Sequence, residues 1–170
     1  MKLSRLDLVS HSPEETQKIG AGIGKLALPG DVFLLVGRLG TGKTCLTQGI
    51  AHGLDIKEYA LSPSFVIVRE LYGRLPLYHI DLFRLDHIEE IEELGLDDYL
   101  YGRGVCVVEW AEKGMRLLPT EHLLIQIDFV SDTERSFRLK PRGKRYLEIL
   151  DQLKRLFINL TPLLPTLPLP

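Results

Sequence analysis

The chain has 170 residues, 45% of them hydrophobic, which is enough to bury one full core and cramped for two, so one domain is expected. A formal net charge of −2 and an isoelectric point of about 6.2 argue against a protein that grips a nucleic-acid backbone strongly by itself, though they allow a local basic patch. Cys45 and Cys106 lack CxxC or Cys/His metal spacing, and no apolar leader or long apolar span is present, so reduced thiols, a cytoplasmic location and no membrane helix are expected.

Partial alternation from Lys2 to Ser10 suggests a first strand. Ser12-Pro13-Glu14-Glu15 then offers a capping serine, a proline at the first helical position and a glutamate three residues after the cap, which predicts a helix running to about Ala27. Internal glycines weaken that helix. The short β-leaning run Val32 to Val36 leads into Gly37-Arg38-Leu39-Gly40-Thr41-Gly42-Lys43-Thr44, which matches G-x-x-x-x-G-K-[ST]. Cys45 to Leu54 follows as a helix with Leu46, Ile50 and Leu54 on one face.

Strand, glycine loop and helix are the context a phosphate-binding loop requires. Glycines let backbone N–H groups close on phosphate oxygens, and the helix amino terminus adds partial positive charge. Lys43 is placed to reach the β and γ phosphates and Thr44 to bind magnesium through its hydroxyl. Cys45 reads either as a small helix residue or as a thiol open to oxidation.

Further on, residues 62–71 and 75–82 flank the turn signal Tyr72-Gly73-Arg74 and predict a hairpin, so the sheet is expected to be mixed. Ser62 and Ser64, beside Pro63, read as γ-phosphate sensors or as ordinary turn chemistry. Residues 86–100 are acidic, with Ile88, Ile91 and Leu94 at helical spacing, and predict a solvated helix with an apolar inner face. Val105 to Val108 is a buried-strand run ending in Glu109-Trp110. Leu123 to Val130 and Phe137 to Leu139 read as a strand and its return. Tyr146, Ile149, Leu150, Leu153, Leu156, Phe157 and Leu160 mark an amphipathic helix within residues 142–160, and a leucine- and proline-rich tail, expected to be disordered, fills 161–170.

Phosphoryl transfer asks for positioning and charge stabilisation, so a second magnesium anchor and a group to orient the nucleophile are needed. An acid at the carboxyl end of an apolar strand is where an open α/β sheet places ligand chemistry, which selects Glu109 as metal ligand and Asp81 as base or water orienter. His79 reads as a packed strand histidine. Trp110 either walls the nucleotide or fills the core.

Taken together, the G-x-L-G-x-G-K-T loop, Ser62-Pro63-Ser64-Phe65, His79-Ile80-Asp81-Leu82-Phe83-Arg84-Leu85 and Val107-Val108-Glu109-Trp110 resemble the TsaE (YjeE-type) ATPases of bacterial tRNA threonylcarbamoyladenosine synthesis, over about residues 10–140. The resemblance implies an α/β, P-loop NTPase-like three-layer domain over residues 1–141, with a mixed, mainly parallel sheet and an inserted hairpin. It implies a magnesium-dependent ATPase that supports threonylcarbamoylation of adenosine 37 in tRNAs reading codons that start with adenine, working with the TsaD and TsaB proteins so that their complex turns over. By the same resemblance Leu39, Gly40, Thr41, Gly42, Lys43, Thr44 and Cys45 line the ATP site. Thr16 lies near the adenine side, Glu112 and Arg135 border the nucleotide, Thr44 and Glu109 hold magnesium, and Asp81 and Lys43 serve hydrolysis. The family usually has S-P-T where this chain has Ser62-Pro63-Ser64, which keeps the hydroxyl and loses the methyl group.

Two other functional classes compete. A small nucleoside kinase needs a second phosphate pocket, for which the acidic stretch 86–100 is poorly suited. A nucleotide-gated binding module would order the loop around Ser62 and Ser64 without essential hydrolysis.

Overall fold

In the computed structural model, which describes residues 4–58 and 67–160, one sheet holds seven strands. They are β1 (Leu6–Ser10), β2 (Val32–Val36), β3 (Val68–Tyr72), β4 (Pro76–Asp81), β5 (Val105–Glu109), β6 (His122–Phe129) and β7 (Arg135–Arg142), in spatial order β1-β7-β6-β2-β5-β4-β3. The central four, β6, β2, β5 and β4, are parallel. β3 closes one side as the antiparallel partner of β4, and β7 with β1 forms an antiparallel flank on the other. The all-apolar runs explain which strands lie innermost: Val105, Cys106, Val107 and Val108 have no exposed surface, as expected of a strand covered on both faces. Burial pushes the Cys106 thiol up to about 12, which keeps it protonated.

The larger apolar face is covered by α1 (Pro13–Leu26), α2 (Lys43–Gly53) and α5 (Lys144–Leu156). α1 starts as its sequence dictates: the Ser12 side chain accepts from Glu15 N at 3.1 Å, with Pro13 at the first position. Its internal glycines have a packing reason. A side chain at Gly20 or Gly24 would run into the Leu46 and Ile50 carbonyls, and one at Gly49 or Gly53 into those of Gln17 and Ala21, so the two helices cross backbone against backbone. Propensity is given up for that close approach, and α2, which follows the phosphate loop, is fixed against a neighbouring helix. α5 buries Tyr146, Ile149, Leu150 and Leu153 in the same core, followed by Phe157.

The second face is thinner. The acidic stretch forms two short helices, α3 (Ile88–Glu93) and α4 (Asp97–Leu100), instead of one. Gly95, at φ 62°, breaks the stretch and turns Leu96 and Leu100 into the core beside Ile91. The return strand β7 is also longer than the apolar run 137–139 suggests, because β6 pairs with it along its whole length from His122–Arg142 to Phe129–Arg135. Ser62, Ser64 and the tail 161–170 lie outside the described residues.

Candidate functional site

The loop between β2 and α2 is shaped by positions that tolerate no ordinary side chain. Gly42, at φ 105°, caps α2 from the left-handed region, and at Gly37 a Cβ would stand 2.5 Å from the Ile127 carbonyl oxygen and 2.9 Å from Thr41 Oγ1. The two main helices differ at their starts: α1 carries Glu14 and Glu15 in its first turn, whereas α2 carries no acid there. The amino end of α2 therefore keeps its partial positive charge uncompensated, as an anion site requires.

Lys43 is 5% exposed and donates from Nζ to the carbonyls of Gly37 at 2.7 Å and Arg38 at 2.9 Å, so its ammonium sits inside the curve of the loop. The same nitrogen lies 4.1 Å from the centre of the Trp110 ring. Burial lowers the Lys43 pKa from its ordinary value, and the nearby carboxylates Glu109, Glu112 and Asp81 work against that shift.

Glu109, the last residue of β5 and 2% exposed, is held by three side chains. Thr44 donates to Oε2 at 3.2 Å. Thr47 lies 3.0 Å from Oε1, and His79 Nε2 lies 2.9 Å from the same oxygen. Sheet register explains the assembly: Asp81 pairs with Glu109 and His79 with Val107, so the period of two puts His79, Asp81 and Glu109 on one face. Thr47 comes one helical turn after Lys43 and reaches the same carboxylate. Its role went unread in the sequence, although three- and four-residue spacing from Thr44 and Lys43 was the available signal.

The remaining candidates surround the loop at different depths. Asp81 Oδ1 accepts from Phe83 N at 2.9 Å, which fixes the turn leaving β4. Arg135 Nε donates to the Thr41 carbonyl at 3.2 Å, and its guanidinium carbon lies 4.5 Å from the Phe129 ring centre, so β7 braces the loop. Thr16 is buried, with Oγ1 2.8 Å from Ser10 Oγ, and Ser10 pairs with Arg135 in the sheet; these two lie on the β1–β7 side. Cys45 Sγ approaches the Pro13 carbonyl at 3.5 Å, and both burial and Glu14 raise its pKa, so it packs between α2 and α1 as a subdued thiol. Leu39 is exposed at the loop tip. Glu112 lines a groove of about 510 Å³ with Trp110, Gly37, Arg38 and Met115, beside the start of the loop. Trp110 has a left-handed backbone, φ 58°, and its ring stacks at a tilt on Phe83 with centres 4.9 Å apart. Lys113, unremarked in the sequence, binds the Phe83 and Leu85 carbonyls and so ties the loop after Asp81 to the turn after Glu109.

Oxygen donors from Thr44 and Glu109 suit a hard divalent cation. Among the described residues no group of three or more His, Cys, Asp or Glu side chains is arranged to hold a metal. The arrangement can thus bind a polyphosphate through the loop, Lys43 and the α2 terminus, and a magnesium ion at the Thr44–Glu109 pair. Among the described residues no helix is long and apolar enough to cross a membrane.

Comparison with known proteins points to one family. A family model described as "Threonylcarbamoyl adenosine biosynthesis protein TsaE" matches residues 10–137. The tRNA threonylcarbamoyladenosine biosynthesis protein TsaE of Bacillus subtilis is 45% identical over 145 residues, covering 85% of this chain and 90% of that protein. Its Treponema pallidum namesake is 39% identical over 127 residues, 75% of this chain and 94% of the relative. The crystal structure of Bacillus subtilis YdiB superposes with a TM-score of 0.81 at 39% identity, covering 92% of this chain and 98% of that one. The match spans the phosphate loop, β4, β5, β6 and the start of β7, and the chain belongs to the TsaE family of threonylcarbamoyl adenosine biosynthesis proteins.

Proposed function

We propose that the chain is a magnesium-dependent ATPase of the cytoplasm that supports threonylcarbamoylation of adenosine 37 in tRNAs reading codons that start with adenine. In this reading it works with the TsaD and TsaB proteins, and its hydrolysis of ATP lets their complex turn over. The observation that carries the reading is the contact between Thr44 of the phosphate loop and Glu109 at the end of β5, which brings two oxygen donors to one point beside Lys43.

Each residue then has a chemical task. Loop N–H groups and the α2 terminus bind phosphate oxygens, and Lys43 exchanges its two carbonyl partners for the β and γ phosphates. Thr44 and Glu109 would hold magnesium, which would supply positive charge against that developing in the transition state. Asp81 orients the attacking water or accepts its proton, and the Trp110 ring limits solvent around the Lys43 ammonium. Arg135 keeps the loop in shape from the β7 side.

The test is ATP hydrolysis by the purified chain with and without magnesium, alone and with TsaD and TsaB, using Lys43→Ala as control. Stimulation by the pair that vanishes in the variant is expected. Tight ATP binding with no stimulation would replace this reading with a nucleotide-gated binding module.

A further inference from the structure

We infer that His79 is a positioning residue for magnesium, acting through Glu109; this rests on the ATPase reading above. His79 lies in β4 with no exposed surface, and its Nε2 is 2.9 Å from Glu109 Oε1. A carboxylate oxygen only accepts, so Nε2 is the ring nitrogen placed to donate. Nδ1 is buried and has no hydrogen-bond partner among the described residues. Packing alone does not require that arrangement. Leu77 precedes His79 on the same sheet face and Val107 is its register partner in β5, both fully buried, and a leucine at 79 would fill the space with no orphaned nitrogen. What the histidine adds is a donor aimed at one carboxylate oxygen.

The two oxygens of Glu109 are not equivalent. Oε2 faces the Thr44 hydroxyl of the phosphate loop, and Oε1 faces Thr47 and His79. Thr47 is an incomplete anchor, because its hydroxyl also lies 2.9 Å from the Lys43 carbonyl and its single proton is shared between two acceptors. The His79 N–H has no second acceptor among the described residues and is held rigidly by the sheet. It therefore fixes the carboxylate torsion that turns Oε2 toward Thr44. Partners of this kind, one bond removed from a metal, typically change metal affinity by about 10- to 100-fold when lost.

The experiment measures Mn2+ binding to the full chain in the presence of the non-hydrolysable analogue AMPPNP, from the paramagnetic resonance signal of free Mn2+. AMPPNP affinity in EDTA is measured separately. His79→Leu is expected to weaken Mn2+ about 10- to 100-fold, with metal-free AMPPNP affinity shifting less than about twofold, and His79→Gln, whose amide can donate from a similar place, is expected to recover most of the loss. Unchanged Mn2+ affinity in His79→Leu overturns the inference. A parallel fall in metal-free AMPPNP affinity does so as well, since it marks a merely structural histidine. Should His79→Leu fail to fold, Thr47→Val removes the other donor and is expected to weaken Mn2+ by a smaller factor with the same split; no change there refutes the account of Oε1. A wild-type chain that binds AMPPNP tightly but takes up no Mn2+ strikes the magnesium reading itself, an outcome distinct from a variant that merely equals wild type.

Discussion

Two acids are buried at opposite ends of the parallel strands, and they are treated in opposite ways. Asp31, just before β2, is 4% exposed and meets a cation: Arg145 donates Nε to Oδ1 at 3.1 Å and Nη2 to Oδ2 at 2.7 Å, and Leu28 N adds a bond at 2.8 Å. The same Nη2 binds the Leu26 carbonyl, so this fork joins the end of α1, the start of β2 and α5. Glu109, as deeply buried, meets the Thr44 and Thr47 hydroxyls and the His79 ring among the described residues, while the nearby Lys43 ammonium hydrogen-bonds loop carbonyls instead. A carboxylate whose charge is matched inside the protein holds the fold together. One that hydrogen-bonds no lysine or arginine among the described residues, and lies beside the phosphate loop, is the candidate site.

The largest expected effect follows from that contrast. Glu109→Gln should lower ATP hydrolysis by roughly 10²- to 10³-fold, the usual loss when one transition-state charge contact is removed, and should leave the melting temperature at or above that of wild type. Steady-state kinetics and a thermal melt in the absence of nucleotide check both halves. A Glu109→Gln chain that melts far below wild type would mean that Glu109 is structural after all.

Asp31→Ala should behave in reverse. Removing one member of a largely buried pair leaves Arg145 uncompensated and costs about 3 kcal/mol, roughly 6–12 °C in Tm for a chain of this size. Hydrolysis per folded molecule should be unchanged below the transition. Tyr146, beside the same fork, offers a milder version: its hydroxyl oxygen accepts from Val32 N at 2.8 Å. Tyr146→Phe should cost about 1–2 kcal/mol by leaving that buried N–H unpaired, again without an activity change. Burial pushes the Tyr146 phenol up to about 12, above its ordinary value of 10.0, so the stability it contributes is fully present below 10 and is lost as pH rises through 12.

These two acids also separate what local sequence reveals from what it hides. The place of Glu109, at the end of an apolar strand beside the phosphate loop, was legible from the run that precedes it. The cap at Ser12, the loop glycines and the hairpin turn at Gly73 were legible for the same reason, since each is written within a few residues. Asp31 carried no signal: its partner Arg145 is 114 residues away, and an aspartate after glycine reads as a turn. The donors Thr47 and His79 lie 62 and 30 residues from Glu109 and meet it only through helix packing and strand register. The glycines of α1 looked like a weakness because their reason lies on α2, and the break at Gly95 was masked by an isoleucine and leucine pattern that suits one helix as well as two.

The smallest effect tests the remaining charge in the comparison, Lys43. Its pKa is lowered chiefly by burial, which means that the folded chain disfavours the ammonium relative to the unfolded chain. At neutral pH lysine is protonated in both states, so the folded state bears that cost in full. As pH rises through the lowered folded value toward the ordinary 10.5, the unfolded chain binds more protons and the cost fades. Lys43→Met should therefore be slightly more stable than wild type at pH 7 without nucleotide, with the difference shrinking as pH rises toward 10.5 in paired denaturant titrations. Magnesium and ATP at about 100 times Kd should stabilise wild type by about 2.7 kcal/mol and the variant far less. A variant less stable than wild type at pH 7 would show that the bonds to the Gly37 and Arg38 carbonyls outweigh the burial of the charge, and that the loop is held by Lys43 rather than burdened by it.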